Sequence, residues 1–159
     1  ELDEGSLSVV PDVGTIEFDE ADERIVWTGD LASGEGKLNF DSSGLTREAK
    51  VSWPSRAEQP NGQTSPEELI AAAHASCFSM ALSKQLADRD AVAERIETSA
   101  TVTLVPGTGI TKSAITVRVS APGLDQSGLE EATEAAKTGC PVSGALAGNV
   151  EITLDAAFA

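Results

Sequence analysis

Apolar and polar residues alternate along two separate parts of the chain, and such alternation is typical of strands with one buried face. The first part contains three short segments, RIVWTGDL, GEGKLNFDSSG and REAKVSWPS, joined by Gly, Ser and Asp turns. We therefore predict an antiparallel meander of three strands. Leu38 and Phe40 share one face of the second strand, and the third strand presents Ala49, Val51 and Trp53.

The clearest helix follows the loop AEQPNGQT and runs from Ser65 to about Asp90. Ser65 is placed as the N-cap, Pro66 takes the first helical position, and Glu68 completes a capping box three residues after the cap. Residues 69–82 are apolar nearly all round the helix, so we expect this helix to be buried. One small domain has difficulty in burying a helix on every side, and packing against a second subunit would solve that problem.

Two longer alternating segments, RIETSATVTLVPG and GITKSAITVRVSAPG, are joined by a turn at residues 106–109. A second helix, DQSGLEEATEAAKTG, carries an apolar stripe formed by Leu129, Ala132 and Ala136 and stops at Gly139. The strand VEITLDAAF closes the chain. The order of strands, helix, strands, helix and strand predicts an α+β fold with mainly antiparallel sheet.

The chain is strongly acidic, with a formal net charge of −15 and a pI of about 4.2. Binding to nucleic acid or to an anionic membrane needs a basic surface, so we expect neither partner. No segment approaches the roughly 20 apolar residues that span a bilayer, and no signal-peptide pattern is present, which leads us to expect a cytoplasmic protein. Residues 1–23 hold nine Asp or Glu and no Lys or Arg, and we interpret them as an acidic extension, with room for one strand, ahead of a domain at 24–159.

The candidate chemistry lies at two cysteines, Cys77 and Cys140, which are too far apart for a C-x-x-C motif and have too few His or Cys neighbours for a zinc site. Cys140 follows a helix stop and precedes Pro141 at a new helix start. Backbone N–H groups there would lower the pKa of a thiol. A reactive thiol and a small apolar core residue are equally compatible with this position.

Cys77 lies in the middle of the long helix among Ala, Phe and Met. Burial there raises the pKa of a thiol, so from the residues alone an inert core cysteine is the favoured interpretation. His74, three residues earlier, is close enough to contact Cys77. A Cys-His pair would indicate hydrolase-type catalysis, whereas a packed neighbour is the more ordinary interpretation of this histidine.

The segments SPEELIAAAHASCFSMAL and GCPVS resemble the two cysteine motifs of the OsmC/Ohr family of thiol-dependent organic hydroperoxide reductases. The first is most similar to the OsmC branch, where NPEELIAAAHA-C is typical. The resemblance extends over roughly residues 24–159 and includes the spacing of the motifs and the strand order. It implies an OsmC-like fold in which a long central helix carries the first cysteine inside an intertwined homodimer.

This resemblance implies that Cys77 is the peroxidatic cysteine and Cys140 the resolving one, with an Arg that stabilises the thiolate and a Glu that holds the Arg. Glu67 stands at the Glu position, and Arg56 fits the Arg position best. The segment between them is about one residue longer than the family pattern, so Arg47 is the second choice. Cys77 and Glu67 lie about ten residues apart on one helix, or about 15 Å. Glu67 and Arg56 would therefore reach Cys77 from the second subunit.

The implied reaction reduces an organic hydroperoxide to an alcohol, through a Cys77 sulfenic acid and then a Cys77–Cys140 disulfide, in antioxidant defence and stress response. A lipoylated or thioredoxin-like dithiol protein would reduce the disulfide, and no metal, flavin or haem is implied. Two other classes stay open: a Cys-His hydrolase that uses Cys77 and His74, and a binding domain whose cysteines are structural.

Overall fold

The computed structural model describes residues 21–159, so almost all of the predicted acidic extension, with its one strand, lies outside the described residues. The chain divides into two compact units, with the boundary between Trp53 and Pro54. The prediction of one domain at 24–159 includes no boundary at this position and stays a prediction.

The first unit contains a three-stranded antiparallel sheet in the order β1 (Glu23–Thr28), β2 (Glu35–Phe40) and β3 (Ala49–Val51). The predicted meander is therefore correct. The third strand is shorter than predicted, because a short helix, α1 (Trp53–Ala57), begins where the strand was expected to continue. Pro54 explains this ending, since proline lacks the N–H that a strand needs and fits the first turn of a helix.

The second unit combines α2 (Pro66–Ala87), β4 (Arg95–Val105), β5 (Gly109–Ser120), α3 (Gln126–Gly139), α4 (Pro141–Leu146) and β6 (Glu151–Phe158). Its sheet has the order β4-β5-β6, in which β4 and β5 are antiparallel but β5 and β6 are parallel. The parallel pair was not predicted. It is possible because α3 and α4 together form a crossover long enough to bring the chain back beside β5, on the edge that β4 leaves open, in the same direction.

The core of the second unit is built from regular stripes on α2, β5 and α3. Every fourth residue of α2 from His74 onward is buried, which brings one face of the helix onto the sheet. The inward positions of β5 alternate with outward ones, as expected for a half-buried strand. The fully buried apolar residues of these three stripes are Phe78, Leu82, Leu86, Ile115, Val117, Val119, Leu129, Ala132 and Ala136.

Helix α2 begins as predicted, with the Ser65 hydroxyl accepting a 3.1 Å hydrogen bond from the backbone N–H of Glu68. It ends at Ala87, three residues before the predicted end. The face opposite the core is exposed within the chain, and Met80 there is 68% exposed. The expectation that α2 is buried on all sides is thus not met by one chain alone. Three small residues on the same face, Ala72, Ala73 and Ser76, are also exposed.

Within residues 21–159, no helix has the length and apolar character that crossing a membrane requires.

We predict that Leu82→Ala lowers the free energy of unfolding by about 2–5 kcal/mol, because it leaves a cavity where the side chain is fully buried between helix and sheet. Lys84→Ala, on the exposed side of the same helix, is the control and should change that free energy by about 0.5 kcal/mol or less. Urea unfolding followed by circular dichroism measures both. Equal losses in the two variants would contradict the packing described here.

Candidate active site

The thiols of Cys77 and Cys140 are neighbours, and neither cysteine forms a disulfide. Cys77 lies in the middle of α2 and is partly buried, whereas Cys140 is buried at the junction of α3 and α4. Cys77 packs on the same apolar cluster that contains Cys140. The fold thus brings together two thiols that are distant in sequence.

Helix α4 gives the two thiols different electrostatic surroundings. Burial raises the pKa of the Cys77 thiol, the adjacent Cys140 raises it further, and the N–H of Val142 only partly offsets these effects. Burial also acts to raise the pKa of Cys140. That effect is outweighed by the N–H and hydroxyl of Ser143, the Cys77 thiol and the N–H of Val142, so the pKa of Cys140 is lowered. In a single chain, Cys140 is therefore the more acidic of the two thiols.

Arg56 and Glu67 form a close ion pair within the second unit. Arg56 donates from Nη2 to Glu67 Oε1 at 2.6 Å and from Nε to both carboxylate oxygens at 3.1 Å. Both side chains are partly shielded, with 29% and 12% of their surface exposed. Hydrogen bonding to Arg56 lowers the pKa of Glu67, and the same bond raises the pKa of Arg56.

The ion pair and the thiol pair occupy different parts of α2, since Glu67 lies in its first turn and Cys77 in its middle. Among the described residues, the groups that shift the pKa of Cys77 include no cation. The structure therefore joins Arg56 to Glu67 and Cys77 to Cys140, but does not join the two pairs within one chain. Arg47, the second choice for the Arg, lies exposed in the first unit.

His74 is fully buried, and serine hydroxyls contact both of its ring nitrogens. Nδ1 lies 2.8 Å from the Ser113 hydroxyl, and Nε2 lies 2.9 Å from the Ser143 hydroxyl. Burial lowers the pKa of His74, so the ring is neutral near pH 7. With both nitrogens engaged by serines, His74 is not positioned as the base that a Cys-His hydrolase requires.

Sequence reasoning missed Ser113 and Ser143 as neighbours of the site. Ser113 stands at an inward position of β5, where the alternation calls for an apolar residue, so a signal was available. Ser143 gave a weaker signal because α4 is short, and the sequence predicted a helix start at Pro141 but only a short apolar turn after it. Within residues 21–159, no three His, Cys, Asp or Glu side chains are grouped closely enough to hold a metal ion.

Two neighbouring free thiols on an α+β scaffold, one of them at the start of a short helix, define a two-cysteine thiol protein. Residues 59–155 match the model of the family described as OsmC-like protein. The chain belongs to the OsmC-like family.

Relatives of this chain include an OsmC protein and organic hydroperoxide resistance proteins. It is 42% identical over 132 residues to Peroxiredoxin OsmC of Escherichia coli, which covers 81% of this chain and 90% of that protein. It is 32% identical to an Organic hydroperoxide resistance protein of Xanthomonas axonopodis pv. citri, covering 83% and 95% of the two chains. The crystal structure of the Organic Hydroperoxide Resistance Protein OhrB of Bacillus subtilis superposes with a TM-score of 0.62 at 27% identity, covering 86% and 98%.

We predict that Glu67→Gln destabilises the protein at pH 7 but has a much smaller effect in acid. The pKa of Glu67 is lowered in the folded chain, so the stability that its charge contributes is fully present above its unfolded pKa of about 4.5 and is lost as the pH falls through the lower folded value. Urea unfolding of both proteins between pH 7 and pH 3.5 measures the difference.

The matched control is Glu131→Gln, which removes an exposed carboxylate from α3. Its difference from the wild-type protein should stay small over the whole pH range. A Glu67→Gln effect that does not shrink in acid would show that the ion pair is not its source.

Proposed function

We propose that this chain is a thiol-dependent peroxidase that reduces organic hydroperoxides to alcohols in antioxidant defence. The observation that carries the proposal is the pair of unlinked neighbouring thiols of Cys77 and Cys140 in a chain that is 42% identical to a peroxiredoxin.

The first step is the attack of the Cys77 thiolate on the distal oxygen of the hydroperoxide. The S–O bond forms, the O–O bond breaks, and the alkoxide leaves as an alcohol after taking a proton, so that Cys77 becomes a sulfenic acid. The apolar residues around Cys77 on α2 favour a fatty or aryl hydroperoxide over hydrogen peroxide.

The second step joins the two cysteines. Cys140 attacks the Cys77 sulfenic sulfur, water leaves, and a disulfide forms between them. An external dithiol then restores both thiols by exchange, and a lipoylated or thioredoxin-like protein is the reductant we propose. The position of Cys140 beside Cys77 supports its role as the resolving cysteine.

Arg56 is proposed to stabilise the Cys77 thiolate, with Glu67 holding the guanidinium in place. The raised pKa of Cys77 in one chain leaves the thiol in need of a cation. The helical rise from Glu67 to Cys77 is about 15 Å, so the Arg56–Glu67 pair of the same chain is too far along α2 to supply it. We infer that each Cys77 receives the Arg56–Glu67 pair of a second subunit.

The exposed face of α2 supports this homodimer. It is formed by small residues and by Met80, which is 68% exposed, and it adjoins Cys77 on the helix surface. A second copy of the chain packed on this face would bury it and bring another Arg56–Glu67 pair towards the thiol. The first unit also exposes apolar side chains of β1, namely Ile25, Val26 and Trp27.

We predict that Cys77→Ser lowers the consumption of cumene hydroperoxide to the rate of protein-free buffer. Cys140→Ser should consume about one equivalent per chain and leave a sulfenic acid that dimedone traps, because the attacking thiol remains but the resolving thiol is gone. A peroxide assay measures the consumption of cumene hydroperoxide in both variants, and mass spectrometry measures the sulfenic acid that dimedone has trapped.

The lowered pKa of Cys140 makes a reversal of roles the relevant alternative. In that case Cys77→Ser would consume one equivalent and Cys140→Ser none. Turnover in both single variants would overturn the assignment of attacking and resolving roles to these two cysteines.

We also predict that two inactive variants, Cys77→Ser and Arg56→Ala, recover activity when their subunits exchange. In the mixed dimer one site combines the intact Cys77 of one chain with the intact Arg56 of the other, while the second site carries both lesions. Up to about half of the activity of the wild-type dimer should return per mixed dimer, as measured with cumene hydroperoxide and a dithiol.

Native mass spectrometry confirms that mixed dimers have formed. The same mixture made with Arg47→Ala separates the two candidate arginines, since Arg47→Ala alone should keep its activity if Arg56 is the functional residue. No recovery in confirmed Arg56→Ala mixtures would rule out the contribution of Arg56 across the subunits.

A further inference from the structure

A chain of buried polar side chains connects β5, α2 and α4 and ends beside Cys140. The Ser113 hydroxyl lies 2.8 Å from His74 Nδ1, and His74 Nε2 lies 2.9 Å from the Ser143 hydroxyl. Ser143 stands in the first turn of α4, three residues after Cys140, where its N–H and hydroxyl act to lower the pKa of the Cys140 thiol. The three polar residues are at most 5% exposed.

These polar residues occupy positions that packing alone would give to apolar ones. His74 begins the buried stripe of α2 that continues with Phe78, and Ser113 begins the inward stripe of β5 that continues with Ile115. Burying an imidazole and two hydroxyls is costly unless their hydrogen bonds are made, and here each ring nitrogen has one partner. One end of this row of hydrogen-bonded side chains lies beside the Cys140 thiol.

The neutral state of His74 allows two directions for these hydrogen bonds, one for each tautomer of the ring. A neutral imidazole has one N–H donor and one acceptor nitrogen. If Ser113 donates to Nδ1, then Nε2–H donates to the Ser143 oxygen, and the hydroxyl hydrogen of Ser143 is left to point at Cys140. A hydroxyl oriented in this way stabilises a thiolate in preference to a thiol.

We propose that Ser143 and His74 are positioning residues for the resolving step, in which the Ser143 hydroxyl, held by the His74 imidazole, stabilises the Cys140 thiolate that attacks the Cys77 sulfenic acid. This inference rests on the proposed function. It assigns to His74 a role in orienting a hydroxyl, in place of the direct Cys-His pairing that the sequence left open.

The step balances without any further reactant. The Cys140 thiol gives up its proton and its thiolate forms an S–S bond with Cys77. The S–O bond of the sulfenic acid breaks, and the departing hydroxide takes up one proton, so water leaves. The Cys77 sulfur is reduced and the Cys140 sulfur is oxidised by the same amount. Stabilising the thiolate therefore accelerates the step at a pH where most of the thiol is protonated.

Few other titratable groups face Cys140. Helix α2 presents Cys77 and His74, and α4 carries no charged residue.

Helix α3 carries Lys137 one turn before Cys140, and its ammonium lies 4.0 Å from the Glu134 carboxylate. Lys137 also lines a cavity of about 290 Å³ that borders Ser143. The strands β5 and β6 contribute Ser113 and apolar core residues. Of these groups, only Ser143 is both beside the thiol and bonded to His74.

The test follows the Cys77 sulfenic acid after one equivalent of cumene hydroperoxide is mixed with reduced protein. Samples quenched with dimedone are analysed by mass spectrometry, which separates sulfenic acid from disulfide. In Ser143→Ala we expect disulfide formation at pH 7 to slow roughly tenfold or more, because a hydrogen bond to a charged sulfur is lost. The rate should recover towards that of the wild-type protein as the pH approaches 9.

Thr133→Val is the matched control. It removes a buried hydroxyl that bonds only to the backbone of α3, so it should keep the resolution rate of the wild-type protein. Ser113→Ala keeps the immediate surroundings of Cys140 but removes the partner of Nδ1, and should slow resolution at least about twofold. This variant carries the test if Ser143→Ala fails to fold.

A second measurement isolates the thiol. In the Cys77→Ser background, where Cys140 is the sole cysteine, the pH dependence of iodoacetamide alkylation should move to higher pH when Ser143→Ala is added. Normal peroxide consumption with an unchanged resolution rate and an unchanged alkylation profile would overturn the role of Ser143 and His74. Failure of the wild-type protein to consume peroxide would instead overturn the proposed function.

Discussion

Helix α2 carries residues of both halves of the site, and its rise of about 1.5 Å per residue keeps Glu67 and Cys77 about 15 Å apart. The rest of the arrangement depends on this fixed separation. It allows Arg56 to bind Glu67 at one end of the helix and Cys140 to meet Cys77 in the middle, but it keeps the two pairs apart within a chain. Glu67 is largely shielded in the first turn of α2, whereas the exposed, mostly small-residue face of the helix adjoins Cys77.

The electrostatics of the thiols agree with an incomplete site. No cation stands among the groups of residues 21–159 that shift the pKa of Cys77, and burial, the largest effect, raises that pKa. The N–H groups at the start of α4 and the Ser143 hydroxyl instead favour negative charge on Cys140. A guanidinium placed beside Cys77 would reverse this order, because a full positive charge acts more strongly on a thiolate than neutral donors do. If that guanidinium comes from a second subunit, as proposed above, the charge of the thiol pair depends on assembly.

Most of the fold could be predicted from the sequence, because its elements carry strong local signals. Ser65, Pro66 and Glu68 fixed the start of α2, and strict alternation identified β4 and β5. The parallel pairing of β5 with β6 could not be predicted in the same way, since it depends on the path of the whole α3–α4 crossover. Pro54 gave a signal for α1, but the apolar spacing of Trp53 with Val51 suggested a longer strand.

The site was predictable only in part. The two cysteines, Arg56 and Glu67 came from the motifs and from the family resemblance, and the structure shows which of them are neighbours. His74 was judged by its sequence distance to Cys77, whereas its contacts are with Ser113 and Ser143, 39 and 69 positions away. Contacts of that range depend on how strands and helices stack, and no local pattern encodes them.

The positions of the two cysteines also link redox state to folding. A bond between Cys77 and Cys140 would close a loop that contains β4, β5 and α3, which is most of the second unit. A crosslink around a loop of roughly 60 residues removes about 4 kcal/mol of chain entropy from the unfolded ensemble. In each catalytic cycle the chain would therefore alternate between a crosslinked form and a less stable form without the crosslink. The enzyme would resist heat and proteolysis best while its substrate is abundant and its reductant is scarce, because the crosslinked form then predominates.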